Sequence, residues 1–126
     1  MIRITSEPIC TQGAYQLLER DGAGSVVLHY AVVKAQEGTG GTTCHIEYHA
    51  AGDAEAELSL IARELCQSFT LSDVALIRRC GLVPVGEVIS LVAASSPNSE
   101  DAFEACRAGI ARLKKMKSIR KNEVCA

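Results

Sequence analysis

Apolar positions recur along this chain in distinct rhythms, and each rhythm predicts a different element. Ile2 to Thr5 alternates and predicts a short strand, ended by Glu7-Pro8. Thr11 to Arg20 predicts a short helix, with Thr11 as its cap and Tyr15, Leu17 and Leu18 on its apolar side. After the turn Asp21-Gly22-Ala23-Gly24, Ser25 to Lys34 is nearly continuously apolar, which predicts a strand covered on both faces or central in a sheet. Thr43 to His49 alternates again, with Cys44, Ile46 and Tyr48 facing one way and His45, Glu47 and His49 the other. Asp53 to Phe69 has helical spacing: Leu58, Ile61, Ala62, Leu65 and Phe69 form its stripe behind the candidate cap Asp53. Strands follow at Ser72 to Cys80 and Glu87 to Ala94, and Pro84 and Gly86 between them predict a bend or bulge at a sheet edge.

The last stretch, from Ser96 to Glu123, organises the rest. Ser96 suits a helix cap and Pro97 the first helical position, where the N–H that proline lacks has no intrahelical partner. Glu100 and Asp101 favour the positive end of the helix dipole. Phe103, Cys106, Ile110 and Leu113 then recur as one apolar stripe. Beyond Leu113 the charge changes sign, with Lys114, Lys115, Lys117, Arg120 and Lys121 in quick succession. A solvated basic face is the common outcome of such a run. The sharper alternative is an anion site, with ammonium groups converging on a phosphate or carboxylate. In a continuous helix Lys114 and Lys121 would share a face about 10 Å apart, and a bend near Ser118 would bring them closer. The predicted order, β-α-β-β-α-β-β-α, is a mixed α+β domain over residues 1–126 with three helices.

Composition narrows the function classes. The chain has 126 residues, 48% of them hydrophobic, and a net charge of −2. That excludes disorder and a general nucleic-acid binder, and the absence of Trp removes the usual base-stacking surface. No apolar run is long enough to span a membrane and no signal peptide is evident, so we expect no membrane association and a cytoplasmic location.

Little else carries chemistry. The six cysteines, at 10, 44, 66, 80, 106 and 125, form no Cys-x-x-Cys pair, so we expect free thiols and no metal. Cys66 and Cys106 fall on apolar stripes and read as small core residues, while Cys125 lies near the end with nothing beside it to organise a nucleophile. His29 reads as a satisfied core histidine, and His45 and His49 as solvated. The Gly-Thr-Gly-Gly of the 35–43 loop lacks the Gly-Lys-Ser/Thr ending of a phosphate loop and reads as a linker.

Three stretches together carry a family resemblance. Gly81-Leu82-Val83-Pro84-Val85-Gly86-Glu87 is similar to a Gly-x-Leu-x-Val-Gly-Glu turn, Ala102-Phe103-Glu104-Ala105-Cys106 to a helix start, and Leu113-Lys114 with Lys121-x-Glu123 to a paired-lysine end. Gly24 to Lys34 and Ile46-Glu47-Tyr48 fit the core strands of the same family, the large catalytic subunit of molybdopterin synthase. The resemblance implies an α/β hammerhead fold and a homodimer. Each large subunit would bind a small ubiquitin-like sulfur carrier whose Gly-Gly thiocarboxylate tail enters a pocket. The implied reaction adds two sulfurs to cyclic pyranopterin monophosphate to give molybdopterin, with no metal and no cofactor.

By the same resemblance Lys114 and Lys121 are the catalytic lysines, and Glu123 is the acidic residue that orients the second. Other positions depart from the family. Asn98 and Ser99 stand where a His-Arg pair is usual, and Lys34 stands where an arginine is. These three keep hydrogen-bonding or charge for the substrate without a planar fork. Ser118-Ile119-Arg120-Lys121 replaces Pro-x-Trp-Lys. The alternative to a working synthase is therefore a non-catalytic paralogue that binds the carrier or another phosphorylated ligand.

Overall fold

The structure, a computed structural model, describes residues 1–35, 37–38 and 41–125, and side chains for 1–35 and 44–124. Two sheets and two α-helices make up the chain. The first sheet has the order β1-β5-β7-β2, built from β1 (Ile2–Thr5), β2 (Ser25–Val32), β5 (Asp73–Arg79) and β7 (Val88–Ser96). β1 runs parallel to β5, while β5 and β2 flank β7 antiparallel. The second sheet is centred on β4 (Gly41–Ala50), which pairs antiparallel with β3 (Glu37–Gly38), β6 (Gly81–Pro84) and β8 (Ile119–Cys125). This is the mixed α+β class that the periodicity predicts.

Both helices, α1 (Ala54–Ser68) and α2 (Ser99–Lys114), cover one face of the first sheet. Alternation along the strands assigns the faces. Val74, Leu76, Val92 and Ala94 point to the helices and join Leu58, Ile61, Leu65, Cys106 and Leu113 in the main core. Ala75, Ile77, Leu91 and Ala93 point the other way and meet Ala14 and Leu18. A third cluster of Val33, Ile46, Tyr48 and Val83 joins the two sheets.

The structure departs from the periodicity at five places, each for a local reason. The predicted helix at 11–20 is a single 3-10 turn, Ala14–Leu17, because Gly13 takes the left-handed conformation (φ 82°) and closes off a longer helix. β2 lies at a sheet edge and leaves Leu28 and Val32 exposed; the strand buried on both faces is β7, whose small Ala93, Ala94, Ser95 and Ser96 give a weaker hydropathy signal. The bend at 81–84 is itself a strand, and Pro84 is tolerated there because β6 is an edge. Asn98, not Ser96, caps α2: its Oδ1 accepts from the Asp101 N–H at 2.8 Å, while Ser96 still belongs to β7 opposite Ser25. The basic stretch after Lys115 leaves the helix and becomes β8. The 35–43 stretch, expected as a linker, is paired where it is described, with Glu37 opposite Thr42 and Gly38 opposite Gly41, because main-chain bonding to β4 needs no apolar pattern. Gln36, Thr39 and Gly40 lie outside the described residues, as does the Cys125 side chain.

The apolar stripe of α2 also differs. Phe103 is 60% exposed, and the buried line is Ala102, Ala105, Cys106, Gly109 and Leu113. These residues are small because the helix lies close on the sheet: a Cβ on Gly109 would stand 2.9 Å from Val92 Cγ1 and 3.4 Å from Leu65 Cδ1. Cys66 points out of the core and is exposed, whereas the buried Cys106 thiol donates to the Val27 carbonyl at 3.3 Å and burial pushes it up to about 11. We predict that Gly109→Val lowers stability by about 3 kcal/mol, the upper end of the usual overpacking cost, read as a lower urea midpoint at unchanged slope. An unchanged midpoint would show that α2 has room to move off the sheet.

Candidate functional site

The helix-facing row of the first sheet is apolar at Leu76 and Val92, and one step further along it changes character. There Arg78 of β5 stands opposite Ser90 of β7, and Ser90 opposite Ala31 of β2. This row lies beyond the main core, under the last turn of α2. The helix ends at Lys114, the chain turns through 115–118, and β8 returns along β4 with Lys121 opposite Tyr48. A cavity of about 360 Å³ remains between these parts. Its walls include Ile89, Ile110, Leu113, Met116 and Ile119, and its charged groups are Arg78, Lys114 and Lys121. Among the described residues no carboxylate lines it. Three cations around an apolar hollow favour an anion over a neutral or positive guest.

One side chain forces the turn that assembles it. Glu57 of α1 accepts from the backbone N–H of Lys117 at 2.9 Å, from that of Ser118 at 3.0 Å, and from the Ser118 hydroxyl. Ala51 adds a backbone bond to the Ser118 carbonyl at 2.7 Å. Met116 and Ser118 are buried at this corner. The bend near Ser118 thus exists, and it places Lys114 and Lys121 on one cavity.

Arg78 was not legible as a site residue. Its guanidinium lies 4.3 Å from the centre of the Tyr48 ring, and its Nε has no hydrogen-bond partner. Burial works against its charge, and the neighbouring Tyr48 oxygen partly offsets this. Burial likewise raises the Tyr48 hydroxyl, against the lowering influence of Arg78. Arg79, one residue on, faces the other way and pairs with Glu87. The only advance signal was a charged residue at the even position of an otherwise apolar alternation.

The remaining expected site residues lie elsewhere. Lys34 is exposed just past β2 and does not line the cavity. Asn98 and Ser99 sit at the opposite end of the 16-residue α2, roughly 22 Å from Lys114 along its axis. The Asn98 amide is engaged by Asp101 at both its atoms. Glu123 follows Lys121 on the same face of β8, opposite Ile46, and its charge acts on Tyr48. His45 and His49 each lie 3.7 Å from Glu47, and His49 is well exposed. His29 differs from expectation, since its buried Nδ1 has no partner. Among the described residues no group of three His, Cys, Asp or Glu is placed to hold a metal, and no helix is long and apolar enough to cross a membrane.

Residues 4–116 match the sequence model of the MoaE protein family. The chain belongs to that family. The molybdopterin synthase catalytic subunit of Bacillus subtilis (strain 168) is 30% identical to it over 123 residues, covering 96% of this chain and 77% of the relative. That of Staphylococcus carnosus (strain TM300) is 32% identical over 96% of this chain and 81% of its own. The crystal structure of molybdopterin synthase from Staphylococcus aureus superposes with a TM-score of 0.89 at 28% identity, covering 98% of this chain and 90% of that one. At 14% identity, a complex of subunits 1 and 2 of molybdopterin-converting factor from Helicobacter pylori shares the fold, with a TM-score of 0.78. This MoaE-family chain is therefore a molybdopterin synthase catalytic-subunit homologue of molybdenum cofactor biosynthesis, with the fold that its resemblance implies.

The Glu57 clip has a pH signature. Burial pushes this carboxyl up, but the Ser118 hydroxyl and the two backbone N–H groups outweigh it and hold it below its ordinary 4.5. A carboxyl lowered in the folded state stabilises the protein above its unfolded pKa, and that stability is lost as pH falls through the folded value. Glu57→Gln should therefore cost about 2 kcal/mol at pH 7, with the gap to wild type closing below about pH 4.5. Chemical denaturation across pH 3 to 7 measures it. A gap independent of pH would mean that shape, not charge, holds the corner.

Proposed function

We propose that this chain is a working catalytic subunit of molybdopterin synthase, transferring sulfur from a thiocarboxylated ubiquitin-like carrier to cyclic pyranopterin monophosphate. The observation that carries this reading is the convergence of Lys114 and Lys121 on one cavity that no carboxylate lines among the described residues. The carrier's Gly-Gly tail enters that cavity. The Lys114 ammonium polarises the terminal thiocarboxylate and holds the half-sulfurated intermediate by charge. Lys121 neutralises the precursor's phosphate or the carrier's spent carboxylate, and Glu123 orients Lys121. Each of two transfers leaves one sulfur on the pterin side chain. At each transfer the carrier's acyl C–S bond breaks and its carbon takes an oxygen from water, while a C–O bond on the pterin side chain gives way to the new C–S bond. The cyclic phosphate ester opens in one transfer and a carbonyl oxygen leaves as water in the other, so one water is consumed overall and no electrons are gained or lost. The aliphatic walls lower the local polarity beside the bound tail and strengthen the charge interactions there.

Lys34, Asn98 and Ser99 complete substrate binding in this reading. Asn98 and Ser99 stand too far from Lys114 to act in the same copy, so they serve the neighbouring pocket of a homodimer. The two-subunit complex among the fold relatives supports a small carrier as partner. The site of action is the cytoplasm. A second reading is a paralogue that binds the carrier without catalysis. It is favoured by the engagement of the Asn98 amide in capping α2.

The test is conversion of cyclic pyranopterin monophosphate by the purified chain with excess thiocarboxylated carrier. We expect dithiolene product above the protein-free control. Lys114→Ala should abolish it while shifting stability by no more than about 0.5 kcal/mol, because the side chain is exposed. Carrier binding with no product would select the paralogue.

A further inference from the structure

The cavity holds one charged group for which the paired-lysine reading has no use. Arg78 occupies a helix-facing position where the residues before it in the row are Leu76 and Val92. A guanidinium placed there loses hydration, and no salt bridge to a carboxylate compensates it among the described residues. Stacking on Tyr48 satisfies one flat face only. The Tyr48 hydroxyl engages part of the fork and Nε is buried without a partner, which leaves the terminal nitrogens for a ligand. An edge of this kind matches two in-plane oxygens, as in a carboxylate.

The walls decide which anion. The neutral polar side chains on the cavity are Tyr48 and Ser90, and the rest of its uncharged lining is aliphatic or alanine. A pterin ring, rich in donors and acceptors, would leave most of them unsatisfied against such walls. An extended chain end of small residues carries few polar groups beyond its own backbone and one terminal charge.

We propose that Arg78 is the carboxylate grip of this pocket: its exposed edge holds the terminal carboxylate or thiocarboxylate of an extended Gly-Gly chain end between Lys114 and Lys121. The inference rests on the reading that a carrier tail enters here, and it names the residue that fixes how deep the tail goes. It also gives a reason for a cation where stability alone favours a leucine. With Arg78 holding the end group, Lys114 is left free to act on the acyl carbon.

The probes are a synthetic hexapeptide ending in Gly-Gly with a free carboxylate, the same peptide as its C-terminal amide, and inorganic phosphate. Binding to the full chain is followed by amide chemical-shift changes at pocket residues. We expect the free acid to bind roughly ten- to a hundred-fold more tightly than the amide. Arg78→Gln should erase that difference with its melting temperature equal to or above wild type. Arg78→Lys should keep part of it, since an ammonium retains the charge but not the fork. The proposal is overturned if Arg78→Gln still separates acid from amide, if both peptides bind wild type alike while phosphate displaces them, or if the free acid does not bind at millimolar concentration. A fall in melting temperature with equal loss of both peptides would make Arg78 structural and overturn it as well. None of these readouts needs turnover, so an inactive synthase and a failed grip give different results.

Discussion

The site depends on a carboxylate that takes no part in its chemistry. Glu57 sits on α1, yet it fixes the corner between α2 and β8 by accepting three hydrogen bonds from Lys117 and Ser118. Each of those N–H groups belongs to a chain leaving a helix and would otherwise need water or a cap. By satisfying them, Glu57 stops the helix at Lys114 and sends the next residues back along β4. Lys114 and Lys121 then face one hollow from two different elements. In a helix continued through the same residues they would lie along one solvated face. The geometry of the anion site is thus set by a hydrogen-bond requirement, and the lysines only decorate it.

That arrangement explains which parts of the fold could be read from the residues. Strands and helices whose apolar residues are large were legible: Leu58, Ile61 and Leu65 mark α1, and Ile2 to Thr5 marks β1. Elements built from small residues were not. α2 approaches the sheet through Ala102, Ala105 and Gly109, so the larger Phe103 drew attention to a line that faces solvent. β7 is the most buried strand and is half alanine and serine, whereas the edge strand β2 has the stronger apolar run. Hydropathy ranks side chains by size, while burial here follows how closely the layers pack. β8 was missed for a different reason, since a strand held at the end of a sheet by main-chain pairing to β4 needs little apolar pattern of its own.

The site was legible in the same uneven way. The lysine pair follows from a charge run and a family pattern, and the structure brings both to one cavity. Asn98 and Ser99 share the pattern but stand at the far end of α2, a separation that no linear motif conveys. Arg78 had neither a run nor a motif. Its significance is positional: only the pairing register of β5, β7 and β2 places it in the row that leads from the core to the cavity.

Placing Arg78 on this cavity, with no lining acid among the described residues, works against stability, since its guanidinium is largely desolvated. The chain offsets this in the surrounding packing. Tyr48 covers one face of the guanidinium, and the two sheets meet at Val33, Ile46 and Val83 beside it. In the proposed grip, an anion entering the cavity replaces the hydration that the guanidinium has lost. By that proposal a site of modest size, with mostly aliphatic walls, selects a charged chain end over a neutral one. The selectivity in that proposal comes from Arg78, the one cation of the three that the walls largely desolvate.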